Sequence, residues 1–133
     1  MLHEALYQLL ASRDGVTCES LWAAGPHDAV RDELIAFAAT DRPPWAPITA
    51  AKCVARAADD DVAWTAVQAW MVDPARPGLA VAALDGLDVI GEVRAVALAD
   101  LAAARIDTDA RFAPLGRSRL EDSARPAVRA KVP

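Results

Sequence analysis

The chain has few aromatic residues, no long apolar run and no recognisable catalytic motif. Aromatic side chains make up 5% of its 133 residues, whereas hydrophobic residues, many of them alanine, make up 54%. Small apolar side chains with few rings suit closely packed helices. Runs of β-branched residues and long alternating patterns are missing, so we expect no sheet. No stretch of about 18 uncharged apolar residues occurs, so we expect no membrane-spanning helix.

The sequence also lacks the residue patterns of the common enzyme classes. It contains no glycine-rich phosphate loop, no serine nucleophile elbow and no Cys-His arrangement. Its two histidines, His3 and His27, have no glutamate or cysteine at the spacing of zinc ligands, so a zinc site is not expected. We therefore predict a protein that is not an enzyme, with no catalytic residue, no metal and no cofactor.

The chain has only two cysteines, Cys18 and Cys53, which form no close pair and have no nearby histidine. No signal peptide is recognisable at the N-terminus. We therefore expect free thiols and a cytoplasmic location, where thiols are kept reduced.

Charge is distributed unevenly along the chain. The formal net charge is −5, made up of −8 over residues 1–104 and +3 over residues 105–133. A negative balance argues against a surface built to bind phosphates. Nucleic acid is therefore not the expected partner, although the basic C-terminal part leaves that alternative open.

A helical pattern repeats along the middle of the chain. Residues 92–101 carry apolar side chains three and four positions apart, which is the spacing of one helix face. These side chains are Val93, Val96, Ala97 and Leu101. Residues 29–38 and 61–70 align with this segment when Val30, Val62 and Val93 are equivalent, with steps of 32 and 31 residues, and Val128 follows 35 residues later. Such a period is typical of stacked helical repeats.

Glycine, proline and aspartate mark the ends of the predicted helices. Arg13-Asp14-Gly15 and Asp41-Arg42-Pro43-Pro44 are expected to end the first two long helices. The predicted long helices are His3 to Ala11, Asp28 to Ala39, Trp45 or Pro47 to Ala58, Val62 to Val72, Pro77 to Leu87 with an interruption at Gly86, and Glu92 to Ala104. Thr17 or Ser20 is expected to cap a short turn that carries Leu21 and Trp22. Further on, a seventh helix is expected to be lined by Phe112, Leu115 and Leu120, and Pro126 to open a short eighth.

The pattern resembles HEAT repeats, in particular the short bacterial HEAT-like repeats of the PBS-lyase type. Glu92-Val93-Arg94-Ala95-Val96-Ala97-Leu98-Ala99-Asp100-Leu101 matches the family's second helix, and Pro47 to Ala58 matches its proline-led first helix. The resemblance covers residues 27–104, and Ala63 stands where the pattern has an arginine.

This resemblance implies an all-α fold, an α-solenoid of about three to four antiparallel helix pairs in a right-handed superhelix. We expect one domain over residues 1–133. It would comprise an atypical N-terminal cap (1–26), regular helical repeats (27–104) and a degenerate C-terminal repeat or tail (105–133).

Aligning the second helices separates a core column from an outward column. Positions four and eight after the valine are predicted to be core: Leu34, Ala38, Ala66, Trp70, Ala97 and Leu101. Positions two and six are predicted to point away from the core: Asp32, Trp64, Ala95, Ala36, Gln68 and Ala99. In HEAT-like stacks this side tends to be the concave face that binds partners.

Trp64 is the most informative side chain of that face. An exposed tryptophan is a frequent hot spot, worth about 2 kcal/mol or more when a partner covers it. The alternative is that Trp64 only shields the neighbouring helix. The predicted partner-binding residues are Asp32, Trp64, Gln68 and Arg94.

Charged side chains recur at the turns. In HEAT-like stacks an arginine at the position of Arg31 and Arg94 often pairs with an acidic group in an adjacent turn, here Asp61 or Glu92. An anion site is the alternative for these arginines. The run of residues 59–61, Asp-Asp-Asp, is predicted to cap the next helix. A cation site is the less favoured interpretation because adjacent side chains diverge.

The leading functional hypothesis is a non-enzymatic protein–protein interaction module, of adaptor, regulatory or immunity type, that binds a protein or peptide on the second-helix face. The alternative is a nucleic-acid-binding protein similar to the HEAT-like alkylpurine DNA glycosylases. Bilin lyases carry related repeats, but only the repeat supports that role. An incomplete terminal repeat leaves apolar surface that a second copy would cover, so a homodimer is a further expectation.

Overall fold

The computed structural model describes residues 1–12, 16–40 and 44–133, and in this part of the chain helices joined by turns are the regular structure, with no strand. The helices are α1 (Leu2–Ala11), α2 (Cys18–Trp22), α3 (His27–Ala38), α4 (Ala46–Ala55), α5 (Asp61–Val72), α6 (Pro77–Ala83), a 3-10 helix (Leu84–Gly86), α7 (Glu92–Ile106), α8 (Ala113–Glu121) and α9 (Pro126–Arg129). The predicted helix-ending signals at residues 13–15 and 41–43 lie outside the described residues. None of the described helices is long and apolar enough to cross a membrane.

The starts of several helices confirm the local sequence signals. Thr17 caps α2, and its side chain and that of Ser20 bond reciprocally to each other's backbone amides. Asp60 caps α5. Pro47 lies in the first turn of α4, where its missing amide donor costs little. Helix starts are predictable because each depends on a few adjacent residues.

The helices form two rows. Helices α3, α5, α7 and α9 contact one another in succession, and so do α4, α6 and α8. Across the rows, α3 packs on α4, α5 on α6 and α7 on α8. We call the first set the second-helix row, because it contains the predicted second helices.

Most side-chain hydrogen bonds between distant parts of the described chain connect residues about one period apart. Asp61 is joined to Arg94 across 33 positions, Met71 to Arg105 across 34 and Asp88 to Ser123 across 35. Other such bonds span 29 to 37 positions. The separations agree with the 31- to 35-residue period of the sequence.

The two cysteines are joined, which shows that the prediction of free thiols is wrong. Cys18 in α2 and Cys53 in α4 form a disulfide with their Cα atoms 5.2 Å apart. Their 35-residue separation is close to the repeat period. Residues one period apart lie close together where repeats stack, so a long separation in sequence does not keep the two cysteines apart. The expected cytoplasmic location stays a prediction.

The core of α7 does not lie on the predicted face. Val93 is 86% exposed, whereas Ala95 and Ala99, predicted to point outward, are fully buried. In α5 the buried residues are Ala63, Val67 and Met71, and the predicted core positions Ala66 and Trp70 are only half-buried, as are Ala97 and Leu101 in α7. The alignment of the helices on their valines is therefore wrong. The buried residues lie one position later than expected in α5 and two positions later in α7. Each residue of shift turns a helix face by about 100°.

The basic C-terminal segment packs against α7 and α6. Phe112, Leu120 and Val128 are fully buried there. Leu115, predicted to line the seventh helix, is instead 53% exposed, and Gly116 takes the buried position next to the Phe112 ring.

Reducing the disulfide is predicted to lower the free energy of unfolding by about 2–4 kcal/mol, because the unfolded chain regains the freedom that the closed loop removes. Urea unfolding with and without a dithiol reductant measures the difference. The double variant Cys18→Ala with Cys53→Ala is the control and should not respond to the reductant. Labelling of both cysteines by a thiol reagent in the native, unreduced protein would contradict the bond.

Gly86 is predicted not to tolerate a side chain. A Cβ atom at this position would lie 2.2 Å from the carbonyl oxygen of Ala55 at the end of α4. Gly86→Ala should lower the free energy of unfolding by about 1–3 kcal/mol, because backbone atoms have to move. Gly78→Ala is the matched control, since a Cβ there meets only the flexible end of Ile48, at 3.3 Å. Equal losses in the two variants, measured by urea unfolding, would refute this explanation.

Candidate partner-binding surface

The three adjacent aspartates before α5 have separate partners. Asp60 Oδ1 accepts hydrogen bonds from the amides of Val62 and Ala63, at 2.9 and 3.0 Å. Asp59 Oδ1 accepts from the Gly91 amide at 2.8 Å, at the start of α7. Asp61 pairs with Arg94 of α7. The capping prediction is confirmed, and the triplet ties α5 to α7 rather than gathering its oxygens around one point.

Arg31 of α3 also reaches this turn. Its Nη1 lies 2.9 Å from Asp60 Oδ2 and 3.2 Å from Asp28 Oδ1, and its Nε donates to Asp32 at 3.0 Å. His27 Nε2 lies 3.1 Å from the same Asp60 oxygen. His27, Asp28 and Asp60 thus present ligand-type atoms within 4.8 Å of one another. Because the guanidinium of Arg31 already pairs with both carboxylates, this group is satisfied as an ion-pair cluster.

The environment of Asp60 favours its charged form. The hydrogen bond from the Ala63 amide, followed by those from Arg31 and His27, holds the pKa of Asp60 well below its usual value, although partial burial acts in the opposite direction. The carboxylate therefore stays ionised wherever the protein is folded near neutral pH.

Arg94 confirms the predicted pairing with Asp61. Its Nη1 also donates to the carbonyl oxygens of Ala58 and Asp59, at 2.7 and 3.0 Å. Its guanidinium carbon lies 5.5 Å from the ring centre of Trp64, a cation–π contact. Arg94 is thereby turned into the protein, and the indole of Trp64 is half-buried beneath it.

A second arginine joins the opposite ends of α5 and α7. Arg105 follows Arg94 by 11 residues, which is three helical turns, so both lie on the side of α7 that faces α5. Its Nη1 donates to the carbonyl oxygen of Met71 at 2.7 Å, and its Nε donates to Asp109 at 3.1 Å. Its guanidinium also lies over the ring of Phe112, and the side chain is only 8% exposed.

A cavity of about 550 Å³ lies at the C-terminal ends of α5 and α7, on the side of the Arg105 attachment. Its lining includes Val72, Leu101, Ala104 and the two arginines Arg105 and Arg111. Ligand pockets commonly measure about 300–1,000 Å³. Its walls are mainly apolar at this end.

Helical spacing connects this cavity with the Trp64–Arg94 contact. Gln68 lies between Trp64 and Val72 on one face of α5, and Ala97 lies between Arg94 and Leu101 on the facing side of α7. We call the cavity itself the α5–α7 groove; its lining side chains include Val72, Leu101, Ala104 and Arg105.

The structure brings together three of the four predicted partner-binding residues. Trp64 and Arg94 are in contact, and Gln68 follows Trp64 on the same face. Asp32 lies on α3 and is held by Arg31. Sequence analysis missed Val72, Ala104 and Arg105. Arg105 could have been found from its 11-residue spacing from Arg94, which places both arginines on one face of the helix. Nothing in the sequence distinguished Val72 or Ala104 from other apolar residues.

Removing the Asp60 carboxylate is predicted to destabilise the fold in a pH-dependent manner. At neutral pH Asp60→Ala should lower the free energy of unfolding by about 1–2 kcal/mol, the size of a lost helix cap. Asp60→Asn should lower the free energy of unfolding less, because asparagine also caps helices. The folded pKa is below the unfolded value of about 3.9, so the charge-dependent stabilisation is present above that pH and is lost as the pH falls further.

Urea unfolding of the three proteins between neutral and acidic pH tests this prediction. The gap between wild type and Asp60→Ala should narrow below about pH 4. A gap that stays constant or widens on acidification would mean that the carboxylate charge does not stabilise the turn.

Comparison with known proteins does not place this chain in a family. No family model matches it, and no curated protein and no solved structure matches it either. The resemblance to HEAT-like repeats therefore rests on the sequence pattern, and function has to be argued from the surface.

Proposed function

We propose that this chain is a non-enzymatic protein-binding module whose partner, a protein or peptide, occupies the α5–α7 groove. The observation that carries the proposal is the α5–α7 groove itself, a largely apolar cavity of about 550 Å³ at the C-terminal ends of α5 and α7. Adaptor, regulatory and immunity-type proteins are all compatible with such a module.

The arrangement of the helices supports a HEAT-like stack, a right-handed α-solenoid, as the scaffold. Helices contact their chain neighbours and the next member of their row. Polar side chains connect positions about one repeat apart, such as Asp61 with Arg94. A stack of this kind contacts only nearest neighbours and leaves one continuous face for recognition.

The composition of the groove supports a protein partner. Val72 is 60% exposed although it is apolar, and it lies beside the exposed Ala104 and the half-buried Leu101. Trp64 lies eight residues before Val72 on the same face of α5, and tryptophan is the type of residue that dominates binding energies when a partner buries it. Clustered exposed apolar groups of this kind are typical of interaction sites.

Charge on α3, α5 and α7 favours a protein over nucleic acid, whereas α9, the last helix of the second-helix row, carries the exposed Arg129. The side chains of Asp28, Asp32, Asp61 and Asp100 are 56% to 89% exposed, whereas those of Arg31 and Arg94 are no more than 29% exposed. A nucleic-acid groove needs positive charge where the phosphates lie. The glycosylase-like alternative therefore has no support from this face.

Blocking the groove is predicted to abolish partner capture from a lysate of the source cell. Ala104→Arg fills the cavity with a long side chain at an exposed helical position, where arginine costs little helix stability. Ala5→Arg is the matched control, because it adds the same side chain to an exposed position of α1. A partner held by wild type and Ala5→Arg, but not by Ala104→Arg, is the expected result.

Trp64→Ala should also lose most of the captured partner. Circular dichroism checks that all the variants are equally helical.

Sedimentation of the purified chain tests whether the occupant is a second copy. It is a second copy if Ala104→Arg, but not the control Ala5→Arg, converts a dimer to a monomer. Capture that is unchanged by both Ala104→Arg and Trp64→Ala would overturn the assignment of the groove.

A further inference from the structure

The α5–α7 groove combines apolar walls with a few polar groups. Its apolar lining comes from Met71, Val72, Pro74, Leu101 and Ala104. In a pocket of this kind the walls take up the apolar body of a ligand, and the polar groups fix its orientation. The charge of those polar groups therefore indicates the chemistry of the occupant.

The charge of the described lining is positive. Arg105 and Arg111 line the cavity together with one acid, Asp109. Asp73 and Asp107 are neighbours of lining residues in the sequence, but neither belongs to the lining. The lining therefore favours an anionic group over a cationic one.

Arg105 and Asp109 already have partners. Arg105 Nε and Nη2 lie 3.1 and 3.0 Å from Asp109 Oδ2, and Arg105 Nη1 donates to the carbonyl oxygen of Met71. Asp109 Oδ1 accepts hydrogen bonds from the amides of Arg111 and Phe112, at 3.0 and 3.2 Å. Since the two side chains are only 8% and 17% exposed, this pair shapes the wall and its charges offset each other.

Arg111 differs from Arg105 in that most of its donors are unused. The residue is exposed, and within the described part of the chain its side chain makes one hydrogen bond, from Nη2 to the carbonyl oxygen of Pro74 at 3.3 Å. This bond keeps the guanidinium beside the cavity, because Pro74 is itself a lining residue. The remaining N–H groups form a planar fork that matches the two oxygens of a carboxylate.

We propose that the partner presents a carboxylate to Arg111 and an adjoining apolar side chain to the walls of the α5–α7 groove. This inference rests on the proposed function and adds the chemistry of the group that enters the cavity. A chain that ends in an apolar residue supplies such a carboxylate at its C-terminus. An aspartate or glutamate beside an apolar residue supplies it from a side chain.

Three labelled peptides test the inference on the full chain. The first is a short glycine–serine peptide that ends in two leucines and a free carboxylate. The second is identical but amidated at its C-terminus, and the third is amidated and has a glutamate before the leucines. Fluorescence anisotropy should show the first or the third binding at least about threefold more tightly than the second, with the preference shrinking as salt is added. Which of the two binds more tightly identifies the source of the carboxylate.

Variants with a matched control locate the bound carboxylate. Arg111→Gln should abolish the preference for the charged peptides, and Arg111→Lys should restore part of it, because lysine keeps the charge without the fork. Arg119→Gln removes the same charge from an exposed position of α8 outside the groove lining, and should leave the preference unchanged. Ala104→Gln fills the cavity without adding charge and should weaken all three peptides.

The outcomes separate this inference from the proposed function. Equal binding of charged and amidated peptides, still weakened by Ala104→Gln, overturns the carboxylate preference and leaves the groove as the binding site. A preference that survives Arg111→Gln places the carboxylate elsewhere and overturns the inference. Binding of none of the peptides also overturns it, whereas the lysate capture judges the proposed function independently.

Discussion

The position of α7 beside α5 depends on two arginines on one face of α7. Arg94 donates to carbonyl oxygens in the turn before α5, and Arg105 donates to the carbonyl oxygen of Met71 in the last turn of α5. The two attachments are three helical turns apart, so they fix both the distance between the helices and their register. Arg105 also satisfies a carbonyl oxygen in the last turn of α5, one of the groups that a helix end leaves without an intrahelical partner.

This way of joining the helices determines the character of the surface between them. Because the arginines occupy the ends, the middle of the interface is left to small and apolar side chains such as Ala97 and Leu101. The α5–α7 groove opens at the Arg105 end of this interface. At the other end Asp61 pairs with Arg94 and is still 89% exposed, whereas the Arg94 side chain is 29% exposed. The two arginine attachments therefore position the cavity at one end and leave a carboxylate facing solvent at the other.

The sequence predicted features that depend on neighbouring residues or on the repeat period. The capping by Thr17 and Asp60 is local, and the resemblance to HEAT-like repeats, which share this period, implied the pairing of Arg94 with Asp61. The prediction of the buried face of α7 was wrong. An alignment on Val93 can shift by two residues without disturbing the apolar pattern, because alanine is found on both the buried and the exposed side of a helix. The Cys18–Cys53 bond and the cavity depend on how separate helices approach each other, which no local pattern records.

Amide hydrogen exchange of Arg105→Met, compared with wild type, tests most directly whether the arginines hold α7 to α5. Methionine keeps an apolar stem but removes the donors to Met71 and Asp109. We predict faster exchange confined to the last turns of α5 and α7, with α4, α6 and the Arg94 end unchanged, because these attachments act locally. Exchange that is unchanged at both helix ends, or that increases uniformly along the chain, would contradict the account.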